Sequence, residues 1–205
     1  MVYPAYYNGP VSYFARLFRE REIILEQYEN YTKQTYRNRC VIMGPNGILT
    51  LSIPVVRNKG GKTLMKDICI DYDTPWNRVH WKSLVASYAG SPFFDYMKDE
   101  LQGFYRNRYH YLIDLNRHLM EVILSLLGRE IPVTLSDSFT PIPDEKNPGS
   151  FIHPKKDPGI FDTSFVPVVY HQVFADRMGF RAHLSILDLL FNEGPEAPAI
   201  LMECL

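Results

Sequence analysis

Fourteen consecutive residues, Glu26-Gln27-Tyr28-Glu29-Asn30-Tyr31-Thr32-Lys33-Gln34-Thr35-Tyr36-Arg37-Asn38-Arg39, carry no aliphatic side chain. They lie between Ile23-Ile24-Leu25 and Cys40-Val41-Ile42-Met43, two apolar runs that read as short buried strands. Packing alone does not explain a stretch of this kind. Tyr28, Tyr31 and Tyr36 alternate with Lys33, Arg37, Asn38 and Arg39, a mixture that grips a polar, anionic small molecule by stacking and charge-assisted hydrogen bonds. Arg37 and Arg39 are two apart and share a face on an extended backbone, where paired guanidinium forks suit phosphate or carboxylate. The other reading is a solvated loop entering a strand that carries two arginines on its outer face. Both readings stay open.

Residues 2–7 read as a strand, Asn8-Gly9-Pro10 as a turn, 11–19 as a helix with Phe14, Leu17 and Phe18 buried, and 23–27 as a second strand. A right-handed crossover would make the strands parallel and bring the turn at residues 7–10 to the carboxyl edge of the sheet, where the polar stretch also leaves. Residues 37–43 and 48–55 around Gly44-Pro45-Asn46-Gly47 read as a hairpin. Arg57-Asn58-Lys59-Gly60-Gly61-Lys62-Thr63 is not a phosphate loop, because Val56 stands where its first glycine belongs and residues 65–72 read as a strand.

Thr74 and Pro75 mark a helix start, with Thr74 as the cap, and the helix runs to residue 89 with His80, Leu84 and Tyr88 on one face. His80, beside Trp81, is a candidate general base, against the alternative of a hydrogen-bonded structural residue. A second helix begins at Ser91-Pro92, and residues 109–127 form the longest. On the last, Asp114 and His118 are four apart, the spacing of an ordinary surface pair and too few groups for a metal. Ser185 reads as a cap with Asp188 three residues on, Gly194 as the stop, and 166–169 as a late strand. The fold class is α/β: a single mixed sheet of strand-helix-strand plus hairpin, packed by helices from residue 75 to 127, with α+β as the close alternative.

At 205 residues the chain suits one domain, with a proline-rich loop or lid at 136–165. Its 22 Lys+Arg against 23 Asp+Glu exert no long-range pull on nucleic acid or anionic membrane. No apolar run approaches the ~20 residues of a membrane span, and residues 1–8 lack a signal-peptide pattern, so a cytoplasmic location is expected. Cys40, Cys69 and Cys204 are scattered and read as small core hydrophobes. No residue pattern names a metal or a cofactor.

Several blocks in order, Tyr31-x-Lys33-x-x-Tyr36-Arg37-Asn38-Arg39, Ile53-Pro54-Val55, Trp76-x-x-x-His80-Trp81, Ser91-Pro92-Phe93-Phe94, Tyr170-x-Gln172-x-Phe174 and the run from Leu184 to Ala197, resemble the WbqC-like family. The resemblance spans residues 13–199. It implies an association with bacterial O-antigen and surface-polysaccharide gene clusters and a sugar-modifying role, such as acyl or aminoacyl transfer to a nucleotide-linked amino sugar. Its motifs fall here on Tyr36, Arg37, Asn38, Arg39, Trp76, His80, Trp81, Ser185, Asp188 and Asn192. Two departures stand out: Tyr3-Pro4 replaces a Gln-Pro opening, and Gln27-Tyr28 replaces an Asp-Asp pair, leaving only Glu26 and Glu29 nearby. In a transferase, Arg37 and Arg39 would hold a diphosphate, Tyr28, Tyr31 or Tyr36 would stack on a base or sugar, and His80 or His171 would deprotonate the acceptor. Lys33, Asn38, Trp81 and Gln172 would complete the binding set. The alternative is a protein that binds a nucleotide-sugar or a partner without chemistry.

Overall fold

The β-branched and leucine side chains of Ile23-Ile24-Leu25 alternate across an extended backbone, and Ile23 and Leu25 are buried without exposure. In the computed structural model, which describes residues 1–56, 61–141 and 165–205, they form the centre of a three-stranded parallel sheet. Strand β1 (Val2–Pro4) pairs with β2 (Ile23–Glu26) on one side, Tyr3 opposite Leu25. On the other side β2 pairs with β7 (Val133–Leu135), Ile24 opposite Thr134. Helix α1 (Val11–Leu17) connects β1 to β2, as expected for parallel neighbours. The third strand was not anticipated, although Ile131-x-Val133-x-Leu135 has the alternation of one.

The hairpin forms from β3 (Arg39–Gly44) and β4 (Gly47–Ser52), but as a separate two-stranded ladder and not as part of one mixed sheet. A third small ladder joins β5 (Val55–Val56) to β6 (Cys69–Ile70). The strand expected over 65–72 is shortened to β6 because Met65–Asp67 turns as a 3-10 helix. Residues 166–169 form no strand. The lid assigned to 136–165 falls, over 142–164, outside the described residues.

Helices α2 (Trp76–Tyr88), α3 (Phe94–Arg106) and α4 (Leu112–Leu126) follow the apolar spacing that marks them, with Leu112, Leu115, Leu119 and Ile123 of α4 buried in the main core. The cap expected from Thr74 does not form: Pro75 holds the cap position and no side chain bonds the first turn. His118 hydrogen-bonds the Tyr109 hydroxyl across its ring nitrogen Nδ1, so the expected pairing with Asp114 gives way to an aromatic one. Cys40 and Cys204 are buried, whereas Cys69 is partly exposed, its Sγ 3.6 Å from His110 Nε2.

After the short helix α5 (Ala175–Met178), α6 (Ile186–Glu193) starts where Ser185 Oγ accepts from the Leu187 N–H, and α7 (Ala197–Glu203) ends the chain against α1. Asp188 does not complete a capping box. It is 1% exposed and accepts from Tyr88 Oη at 2.9 Å, Tyr170 Oη at 2.8 Å and Gln172 Nε2 at 2.9 Å. Gly194 ends α6 at φ +49 and ψ −114, and an added Cβ would meet the Phe93 ring at 2.4 Å. Gly194→Ala is therefore expected to cost about 2–3 kcal/mol, from a backbone region closed to other residues together with the displaced ring. Chemical denaturation would check it, and a loss below about 0.5 kcal/mol, the range of neutral surface changes, would contradict this account.

Candidate functional site

All three strands of the parallel sheet end at the same edge, and three segments leave it: 5–10 after β1, 27–38 after β2 and 136–141 after β7. Ligands in open parallel sheets lie beyond these carboxyl ends. The polar stretch does not hang loose there. Asn116 of α4, without exposure, donates from Nδ2 to the carbonyls of Ala5 at 3.0 Å and Arg37 at 2.8 Å, and the Tyr7 N–H donates to Tyr36 O at 2.9 Å. Asn38 Nδ2 donates to Ile53 O and the Ile53 N–H returns to Asn38 O, fastening the far end of the stretch to the hairpin.

This fastening changes the reading of the arginines. Residues 33–38 are turns and bends, and β3 begins only at Arg39, so Arg37 and Arg39 do not share one strand face. Arg37 is 7% exposed; its Nε donates to Glu29 Oε1 at 2.7 Å and its Nη2 to Glu29 Oε2 at 2.5 Å, while Nη1 reaches Thr35 Oγ1. Burial works against the cation, but the Glu29 fork outweighs it and raises the Arg37 pKa. The guanidinium fork that the sequence offers to a diphosphate is thus occupied by Glu29. Tyr36 is buried against Tyr6, and Arg39 lies half-buried opposite Ser52 at the start of the hairpin.

Two clefts flank the stretch and share Asn30 as their wall. One, of about 390 Å³, is lined by Asn30, Tyr31, Thr32 and Lys33 on one side and Gly61, Lys62, Thr63 and Ile68 on the other. The Tyr31 N–H holds the two sides together through Thr63 O at 2.9 Å. The second, of about 260 Å³, opens over the sheet edge and is lined by Pro4, Glu26, Glu29, Asn30, Phe139, Thr140 and Pro141. Glu26 Oε1 accepts from the Tyr28 N–H and from Ser136 Oγ, and Oε2 from the Thr140 N–H, so this carboxylate joins the loops after β2 and β7. Of the residues nominated from sequence, Tyr31 and Lys33 line a cleft, and Tyr28 stands beside them under the Lys66 ammonium, 4.7 Å from the ring centre. Lys62, Thr63, Phe139 and Thr140 were missed, since contact across loops leaves no local pattern.

The two imidazoles lie elsewhere. His80 is 3% exposed; Nδ1 is 2.8 Å from Tyr7 Oη, and the Ser52 carbonyl takes the hydrogen bond of the other nitrogen. That assignment makes His80 neutral with Tyr7 donating, Tyr105 donating in turn to Tyr7 at 2.9 Å, and Asn8 Nδ2 donating to Tyr105 at 3.1 Å. Burial lowers the His80 pKa to about 4 despite the opposing Ser52 carbonyl. Trp81 stacks on Phe94 between α2 and α3. His171 is exposed, its N–H bonded to Glu193, and Gln172 is buried between Asp188 and the backbone of Arg181. Among the described residues no three His, Cys, Asp or Glu side chains gather as metal ligands, and no helix is long and apolar enough to cross a membrane.

The model of the WbqC-like protein family matches residues 5–156, which takes in every residue lining the two clefts except Pro4 and leaves out the block 184–197. The chain is 29% identical over 216 residues to the uncharacterized protein Rv1507c of Mycobacterium tuberculosis (strain ATCC 25618 / H37Rv), covering 94% of this chain and 92% of that one. No solved structure matches. With a match over most of its length, this chain belongs to the WbqC-like protein family.

Proposed function

We propose that the chain is a sugar-modifying transferase of bacterial surface-polysaccharide (O-antigen) biosynthesis, and that it takes a phosphorylated or nucleotide-linked amino sugar across Asn30, with acyl or aminoacyl transfer as its reaction class. The observation that carries this reading is the contrast between the paired clefts. Lys33 and Lys62, with hydroxyl and amide groups and no carboxylate, suit phosphate oxygens, while Glu26, Glu29, Asn30 and Thr140 beside the Phe139 ring suit sugar hydroxyls and an amine. Glu26 and Glu29 are the proton acceptors lining the sugar side.

A non-catalytic binding role is the second reading, and a specific observation favours it. Neither His80 nor His171 lines either cleft, and both carboxylates already accept internal hydrogen bonds. Thermal unfolding against nucleotide-sugars, nucleotides, acyl-CoA and amino acids tests the site. A ligand at ~100 times its dissociation constant adds roughly 2.7 kcal/mol of stability. The shift is expected with nucleotide-sugars and is expected to vanish in Lys33→Gln/Lys62→Gln; a shift that survives this variant would move the site elsewhere. A positive shift without turnover of any acyl or aminoacyl donor would select the binding role.

A further inference from the structure

Arg78, Arg106 and Arg108 come together from the start of α2, the end of α3 and the connection that follows, around a cleft of about 450 Å³ also lined by Tyr72, Asp73, Thr74, Asn77 and Tyr105. Three guanidinium groups face one carboxylate there, and among the described residues none of the three is ion-paired. Arg106 alone has an internal rationale: it sits in the last turn of α3, where a cation is favourable, and donates to Gln102 Oε1 at 2.7 Å. Arg78 is the reverse case. It stands in the first turn of α2, at the positive end of the helix dipole, where no side chain caps the helix and the Trp76 and Arg78 N–H groups turn back to the Thr74 and Pro75 carbonyls. With Asp73 as the one carboxylate, the exposed cleft keeps a net positive charge that a bound anion would offset.

The geometry is also held. Arg108 lies over the Tyr72 ring, 5.1 Å from its centre; Tyr72 in turn packs on Trp76 and accepts from the Tyr109 N–H at 3.0 Å. Asn77 Nδ2 donates to Tyr105 O at 2.9 Å, fixing the start of α2 to the end of α3. Because Tyr72 is engaged by Arg108 and Trp76, it serves as a platform for the guanidinium and not as a stacking surface for a base. We propose that this cleft is a binding site, separate from the paired clefts at the sheet edge, for a small multivalent oxyanion, a phosphate ester or a polycarboxylate. Guanidinium forks recognise the oxygens of either group by two parallel bonds, and the positive end of the α2 dipole adds to their field.

The test is calorimetric titration of the full chain at low salt with inorganic pyrophosphate and, separately, with citrate. Arg78→Gln/Arg108→Gln is expected to weaken the tighter of the two by about tenfold or more, the loss of charge-assisted bonds. Arg108→Lys, which keeps the charge but not the fork, is expected to fall between. Lys33→Gln/Lys62→Gln is expected to leave this affinity unchanged. The stronger probe identifies whether phosphoryl or carboxylate oxygens are preferred. No binding of either anion at about 10 mM, equal affinity in the arginine variant, or a loss confined to the lysine variant would overturn the proposal. The last result would still favour the paired clefts as an anion site, so the two readings fail separately.

Discussion

Arg37→Ala is expected to lower folding stability by about 3–5 kcal/mol, because it strands the Glu29 carboxylate in a half-buried site built around a bidentate partner. For a chain of this length that is a fall of roughly 10 °C in Tm. Glu29→Gln/Arg37→Met, which removes both charges, is expected to regain most of the loss, so a double-mutant cycle separates the cost of the orphaned charge from that of lost packing. Urea unfolding monitored at constant m supplies the numbers. Stabilisation by a nucleotide without its sugar is expected to persist in the double variant, since Lys33 and Lys62 are untouched, whereas the added stabilisation by the sugar is expected to fall with Glu29. A small stability change accompanied by complete loss of ligand would instead return Arg37 to the role of an anion-binding residue.

The second large effect concerns pH. His80 has a folded pKa of about 4 against an ordinary 6.5, so the folded chain binds fewer protons than the unfolded one between these values. Its contribution is present above pH 6.5 and is lost as pH falls through 4. Asp188 runs the other way. Burial pushes its pKa up to about 6 from 3.8, against the pull of the Tyr170, Tyr88 and Gln172 donors. The stability linked to it is present below pH 3.8 and lost as pH rises through 6. Each group carries about 3 kcal/mol over nearly the same window, with opposite signs. Their slopes therefore offset each other in the native protein. Asp188→Asn exposes the His80 slope: relative to wild type, stability is expected to drop by about 3 kcal/mol more between pH 6.5 and 4. Denaturation midpoints at three pH values would read it, and parallel curves for the two proteins would refute the opposition.

Much of the secondary structure was legible because it is local. The strand-helix-strand unit, the Asn46-Gly47 turn, the three long helices and the Ser185 cap each follow from spacing or a single cap residue within one segment. What escaped was set by contact between segments. β7 is three residues long and exists because β2 has a free edge beside it. Thr74 has the right chemistry for a cap, yet Pro75 occupies the cap position. The tyrosine and arginine pattern drew attention to the loop that flanks the two clefts, but the charge of Arg37 is satisfied eight residues back by Glu29, and Lys62 and Thr63, which share a cleft with Lys33, come from across a gap in sequence. His80 shows the same limit: its aromatic surroundings identify burial, while Tyr7 and Ser52, which fix its proton, lie on other elements.

The amide of Asn116 holds Ala5 and Arg37 at once, so the loops after β1 and β2 are indexed to α4 before any ligand arrives. A substrate of the kind proposed would then meet two loops that do not have to be ordered on contact, so that little conformational entropy from them would oppose its entry. Among related ligands of this edge, arrival rates should be similar and residence times should differ. Discrimination between one sugar and another would then be decided by how long each stays.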